Sequence, residues 1–211
     1  MNTSPSIVNE LQAQLQGAPI QHMAQQLGAS SEQIQTAVSA ALPLLLGALG
    51  KNAAQPQGAA DLLGALQRDH SQALPQGLGG LLGSILGGST ADSAQNPLGN
   101  GAAILGHILG GSQQKAEASL GQATGLGGQG AAQLLSMLAP IVMAFLANRA
   151  KSADWDAGSL SQMLEQERAQ AQQQGGLGGD LLGSLLDQNG DGKLDVGDLF
   201  KLGSSLWSGR R

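Results

Sequence analysis

Apolar residues along this chain recur at helical spacing. Ile34, Val38, Ala41 and Leu42 return at i, i+4, i+7 and i+8, one face of a helix. The pattern then becomes almost continuously apolar through Ala41-Leu-Pro-Leu-Leu-Leu-Gly-Ala-Leu-Gly50, as in a helix covered on every side. A second block, Ala131 to Ala147, is interrupted by Gln133, Ser136 and Pro140. It falls short of the roughly 20 apolar residues a membrane span needs, so a buried core helix and no transmembrane segment are expected. Ahead of the first block, Ile20-Gln-His-Met-Ala-Gln-Gln-Leu-Gly28 predicts a helix stopped by Gly28, with Ser30 or Ser31 capping the next one. That is a helix-turn-helix cadence, repeated more loosely from Glu117 to Leu126.

The blocks are duplicated. Ala41 to Gly50 lines up with Leu138-Ala-Pro-Ile-Val-Met-Ala-Phe-Leu-Ala147, placing Pro43 and Pro140 in register. Gly77-Leu-Gly-Gly-Leu-Leu-Gly-Ser-Ile-Leu86 matches Gly176-Leu-Gly-Gly-Asp-Leu-Leu-Gly-Ser-Leu-Leu186 with one inserted residue. Between these anchors two short amphipathic helices correspond, 59–67 and 159–166. The expected organisation is a first helical unit over 1–112 and a second over 113–211. A polar loop, 87–101, and a Gly/Gln-rich connection, 170–179, punctuate them.

Composition sharpens the class. Hydrophobic residues make up 41% of the 211, but they are mostly Leu and Ala, with no Tyr and only Phe145, Phe200, Trp155 and Trp207 aromatic. Strands favour aromatic and β-branched residues, whereas Leu, Ala and Gln favour helices, so the chain reads as all-α. Some of the 33 glycines must serve as caps and turns, and pairs spaced i, i+4, such as Gly79 with Gly83 and Gly106 with Gly110, would let helices approach closely. Net charge is −5, and only Lys51 and Arg68 are basic in the first hundred residues. Proteins that hold DNA or anionic membranes carry a basic patch, and none is visible there. The absence of cysteine excludes disulfides and thiolate chemistry. Met1 to Glu10 lacks the charged start and apolar run of a secretory signal, which points to the cytoplasm, with export by a signal-less route left open.

The run Leu42-Pro-Leu-Leu-Leu-Gly-Ala-Leu49, together with Ile104-Leu-Gly-His-Ile-Leu-Gly-Gly111 and Leu138-Ala-Pro-Ile-Val-Met-Ala-Phe-Leu146, resembles the YidB-like bacterial family, domain of unknown function 937. The resemblance spans roughly residues 20–186. It implies a compact helical fold with a homeodomain-like helix arrangement and no established activity.

One segment carries recognisable chemistry. Asp187-Gln-Asn-Gly-Asp-Gly-Lys-Leu-Asp-Val-Gly-Asp198 follows the EF-hand loop pattern at its first six positions. Asp187, Asn189 and Asp191 offer side-chain oxygens at loop positions 1, 3 and 5, and Gly192 permits the turn at position 6. Lys193 offers its backbone carbonyl at position 7, Asp195 stands at position 9 and Asp198 closes position 12. Four of the fifteen acidic residues fall in these twelve positions, so without a cation their repulsion opposes folding of the loop. Oxygen donors without His or Cys select Ca²⁺, or Mg²⁺ in its place, over transition metals. Leu181 to Leu186 and Val196 to Leu206 can flank the loop as entering and exiting helices. Position 12 is Asp rather than Glu, as in dockerin-like loops, which weakens bidentate coordination. EF-hands also pair, and the matching stretch 87–100 keeps only Asp92, so the lone hand must lean on the core or on a second copy of the chain.

Other features carry less. Gly125-Leu-Gly-Gly-Gln-Gly130 satisfies a dinucleotide-binding spacing but has no strand before it, and reads as a loop. His22, His70 and His107 are scattered, no Ser sits in a nucleophile elbow, and no enzymatic activity is expected. Trp207 with Arg210 and Arg211 reads as a packing residue and a solvated basic terminus. The resulting expectation is a Ca²⁺-binding helical module that binds a protein partner or itself. One alternative is a scaffold with a permanently held cation. The other is a DNA-binding regulator, disfavoured because 31–42 contains Glu32 and no Lys or Arg beside Gln33 and Gln35.

Overall fold

The computed structural model describes residues 6–55, 57–69 and 97–174, and the regular structure among them is helical, without a strand. In chain order the elements are α1 (Ile7–Leu15), α2 (Ala18–Leu27), α3 (Ser31–Ala53), α4 (Gly58–Asp69), α5 (Pro97–Leu109), a 3₁₀ turn (Gly110–Ser112), α6 (Gln113–Thr124), α7 (Gly127–Ser152) and α8 (Ala157–Gln174). Local chemistry sets several of these ends. Gly28 takes the left-handed conformation at φ 63° and stops α2. The Ser30 hydroxyl accepts the Gln33 N–H at 3.1 Å and starts α3, and Gly125 at φ 71° ends α6.

Two long helices make the centre. α3 and α7 are the apolar blocks of the repeat, and both are buried nearly all round from Ala40 to Gly50 and from Met137 to Ala147. Each buried Leu, Ile or Phe contributes roughly 1.5–3 kcal/mol against the entropy of ordering the chain. By length and apolarity alone either helix could cross a bilayer. Yet 78% of the most apolar window of each is buried within the protein.

The remaining helices interleave around this pair. α5 and α6 lie along α7, whereas α8, which follows α7 in sequence, returns to lie along α3, and α4 touches α3, α7 and α8. One apolar core therefore draws on residues from Ile7 to Leu164. α5, within the stretch 1–112, packs chiefly on α7 from the other half of the chain.

The prolines in register have a shared consequence. Proline has no N–H, so Pro43 and Pro140 leave the carbonyls of Ser39 and Ser136 without their helical donors. In both helices that serine's hydroxyl turns back one turn, Ser39 Oγ donating to the Gln35 carbonyl and Ser136 Oγ to the Ala132 carbonyl, each at 2.8 Å. Gly101 of α5 lies against the Ser136 carbonyl so closely that a Cβ would overlap it. Lacking that carbon, the glycine brings Cα–H groups to the orphaned acceptor. Gly50 of α3 plays a similar part, with the Leu164 carbonyl 3.1 Å from where its Cβ would stand.

Several sequence expectations need correcting. Among the described residues the close approaches fall at Gly58, Gly101 and Gly121, with Gly50 next, whereas Gly79 and Gly83 lie outside the described residues. Gly106 meets only Gln113 Oε1, at 3.7 Å, and Gly110, at φ 52°, has nothing within 4 Å, so it turns the chain. The polar stretch 87–101 is helical from Pro97, since proline is well suited to the first helical position, where no N–H partner is needed. The connection beginning at Gln170 is helical through Gln174, in keeping with the helix propensity of Gln. Gly127 to Gly130, read as loop, opens α7 instead.

Candidate functional site

The cation-loop residues Asp187, Asn189, Asp191, Lys193, Asp195 and Asp198 lie outside the described residues, as do 181–186, 196–206, Trp207 and the terminal arginines. Among the described residues no three His, Cys, Asp or Glu side chains come together in a group that could hold a metal ion. His22 and His107 are exposed and far apart in the helix order, and His70 is outside the described set.

The helix-turn-helix cadence becomes α2, the turn 28–30 and α3. α3 buries Ile34, Ala37, Val38 and everything from Ala40 to Gly50, which leaves Ser31, Glu32, Gln35, Thr36 and Ser39 as the exposed side of its first turns. None of these is cationic. Gln33 is engaged internally, its Nε2 donating to the Thr124 carbonyl at 2.9 Å and so tying the start of α3 to the end of α6. This exposed face offers phosphate hydroxyl and amide donors but no cation.

The core does contain polar chemistry, and it ties helix ends together. Glu167 of α8 is only 5% exposed, yet its carboxylate is satisfied. Oε1 accepts the Ile7 N–H at 2.8 Å and Oε2 accepts the Ser6 hydroxyl at 2.7 Å. Ser6 stands at the N-cap of α1 but makes no cap of its own, so Glu167 supplies the acceptor from the far side of the sequence. An anion at a helix N-terminus also meets the positive end of the helix dipole. One α1 turn further on, Glu10 Oε2 is 3.3 Å from Arg149 Nη1 of α7, an ion pair without hydrogen-bond alignment. Asn52 does for α5 what Glu167 does for α1, at the other terminus. Its Nδ2 donates to the carbonyls of His107 and Ile108 at 3.2 and 3.0 Å.

A hollow of about 870 Å³ opens between α4 and the end of α7, with Leu63, Leu66, Ala147 and Ala150 on its apolar side, Lys151 and Trp155 beside them. Asp154 on its edge holds φ 50°, a left-handed conformation that Asp tolerates better than most side chains. Asp156 caps α8, accepting the Ser159 N–H at 2.7 Å. That hydrogen bond is the main reason its carboxyl sits below the usual aspartate range.

Sequence reasoning passed over Glu167, Glu10 and Arg149 because nothing local marks them. Glu167 is one carboxylate in a Gln-rich amphipathic helix, and its partners are 160 and 161 residues away. Trp155 was visible as a rare aromatic, but its place beside a hollow depends on α4.

The family model described as "Bacterial protein of unknown function (DUF937)" matches residues 9–149, from α1 to the last turn of α7. Neither curated proteins nor solved structures provide a match.

Proposed function

The chain belongs to that family of bacterial proteins of unknown function, DUF937, and from this premise we propose that it is a calcium-binding helical module without enzymatic activity, acting through contacts with a protein partner or with further copies of itself. The observation that carries the reading is the run of oxygen donors at Asp187, Asn189, Asp191, Asp195 and Asp198 around Gly192, with the Lys193 carbonyl between them. The reading includes an EF-hand-like helix-loop-helix there and a homeodomain-like opening in each unit. A lone hand whose position 12 is Asp favours modest affinity, so Mg²⁺ competes for the site. Asp187 follows thirteen residues after Gln174, where α8 ends (187 − 174 = 13). α8 itself is fixed to the core by Leu160, Leu164 and Glu167.

The DNA-binding alternative loses support from the use of Gln33 inside the fold and from the absence of any cation on the exposed side of α3's first turns. The scaffold alternative shares the same loop and differs only in whether the ion exchanges.

A calorimetric Ca²⁺ titration in excess Mg²⁺ tests the reading. One site per chain that survives Mg²⁺ supports it. No heat from a folded protein removes the calcium half and leaves the family's function open. A bound ion that chelator fails to extract on the timescale of hours favours the scaffold.

A further inference from the structure

The two sets of helices are not held equally, and the difference falls at their first members. The prolines in register define a shift of 97 residues (140 − 43 = 97), which places Ile7 of α1 opposite Ile104 of α5. α5 runs thirteen residues, lies along α7 with Gly101 against the Ser136 carbonyl, and has its end capped by Asn52. α1 runs nine residues, and its buried side chains are Ile7, Leu11 and Leu15. It packs on α3 and α2, whereas its polar ties reach the other half of the chain, Glu167 on α8 and Arg149 on α7.

The connection to α2 is suited to movement. α1 ends at Leu15, and only Gln16 and Gly17 intervene before α2. Gly17 holds φ 85°, which glycine adopts without strain, with nothing within 4 Å of the Cβ it lacks, and its carbonyl accepts the Gln21 N–H at 3.2 Å on the α2 side of the joint.

We propose that α1 is a strap closed by the Glu167 carboxylate, which opens as a unit about Gly17 while α3 and α7 stay folded. Three buried apolar residues, the half-buried Val8 and two charged ties seat it, against fifteen buried residues in each of the central helices. Its opening therefore lies at the low end of the local unfolding free energies within this fold. The carboxylate sets the balance because it is the acceptor for the first N–H of α1 and for the Ser6 hydroxyl, both on buried residues and neither with a second partner among the described residues. Opening uncovers the apolar seats of Ile7, Leu11 and Leu15.

Hydrogen exchange followed by mass spectrometry on the full chain tests this. In Glu167→Ala, amides of residues 8–15 should exchange at least tenfold faster, those of 134–146 should keep the wild-type rate, and an apolar dye should bind more. Unchanged exchange over 8–15 would overturn the proposal. So would equal acceleration of 8–15 and 134–146, because α1 would then open only with the whole fold. If Glu167→Ala does not fold, Ser6→Ala, which removes a single hydrogen bond, is read by the same criterion with a smaller acceleration of 8–15.

Discussion

Gly101 lies against the backbone carbonyl of Ser136, the carbonyl that Pro140 leaves without a helical partner. The pairing explains how α7 carries a proline in the middle of a buried helix. The orphaned acceptor is met by the backbone of α5, and the serine hydroxyl turns back to the Ala132 carbonyl. Gly101→Ala should therefore destabilise the protein by about 1–3 kcal/mol, because the new methyl must displace backbone rather than a side chain. Gly106 makes the control on the same helix. Its missing Cβ faces only Gln113 Oε1 at 3.7 Å, so Gly106→Ala should be neutral or stabilising by up to about 1 kcal/mol. Urea unfolding of the two variants, with equal m-values, checks the contrast.

The duplicated blocks are similar in sequence but not interchangeable in packing. Phe145 is 4% exposed, and the shift of 97 residues sets it opposite Ala48, 7% exposed (145 − 97 = 48). Phe145→Ala should cost about 3–5 kcal/mol, the range for an aromatic side chain removed from a packed core. Ala48→Phe should also destabilise, by overpacking. If either change were silent, the assignment of both helices to one closely packed core would fail.

Much of this fold could be read from spacing. The two proline-bearing helices, the stop at Gly28, the cap at Ser30 and the buried face at Ile34, Val38, Ala41 and Leu42 all rest on local rules, and the structure places them so. What escaped was non-local. That α8 returns to α3 while α5 lies on α7 depends on the whole helix arrangement, and no periodicity records it. Gly106 and Gly110 make no close contact because i, i+4 spacing says two glycines share a face without saying that a helix covers it, while Gly79 and Gly83 lie outside the described residues. For the candidate cation site the position is reversed. Its proposed ligands are legible one by one in the sequence, at 187–198, and lie outside the described residues.

Asp156 gives a pH-dependent handle on α8. Its hydrogen bond from the Ser159 N–H lowers the carboxyl's pKa in the folded protein. A carboxylate lowered on folding contributes stability above its unfolded pKa and loses it as pH falls through the folded value. NMR titration should give Asp156 a midpoint below that of an ordinary aspartate, and acid should release the first turn of α8. Asp156→Ala should remove both effects, leaving the start of α8 insensitive to acid. A normal midpoint in the wild type would show that the cap does not persist in solution.

The cation reading makes the strictest demand on single residues. Asp187 supplies loop position 1, so Asp187→Ala should abolish specific Ca²⁺ binding in the titration while the helical circular dichroism of the core persists. Undiminished affinity in that variant would refute the ligand assignment. Asp198→Glu tests the other end. A longer side chain at position 12 can reach the ion with both oxygens, so affinity should rise, and selectivity over Mg²⁺ should rise with it, since the smaller ion demands six-coordinate geometry that a bidentate ligand disturbs. The two variants are informative together. Loss in the first with gain in the second would fix the register of the loop from both ends, whereas loss in both would mean that Asp198 already sits at its optimal reach and that the site departs from EF-hand geometry at its closing position.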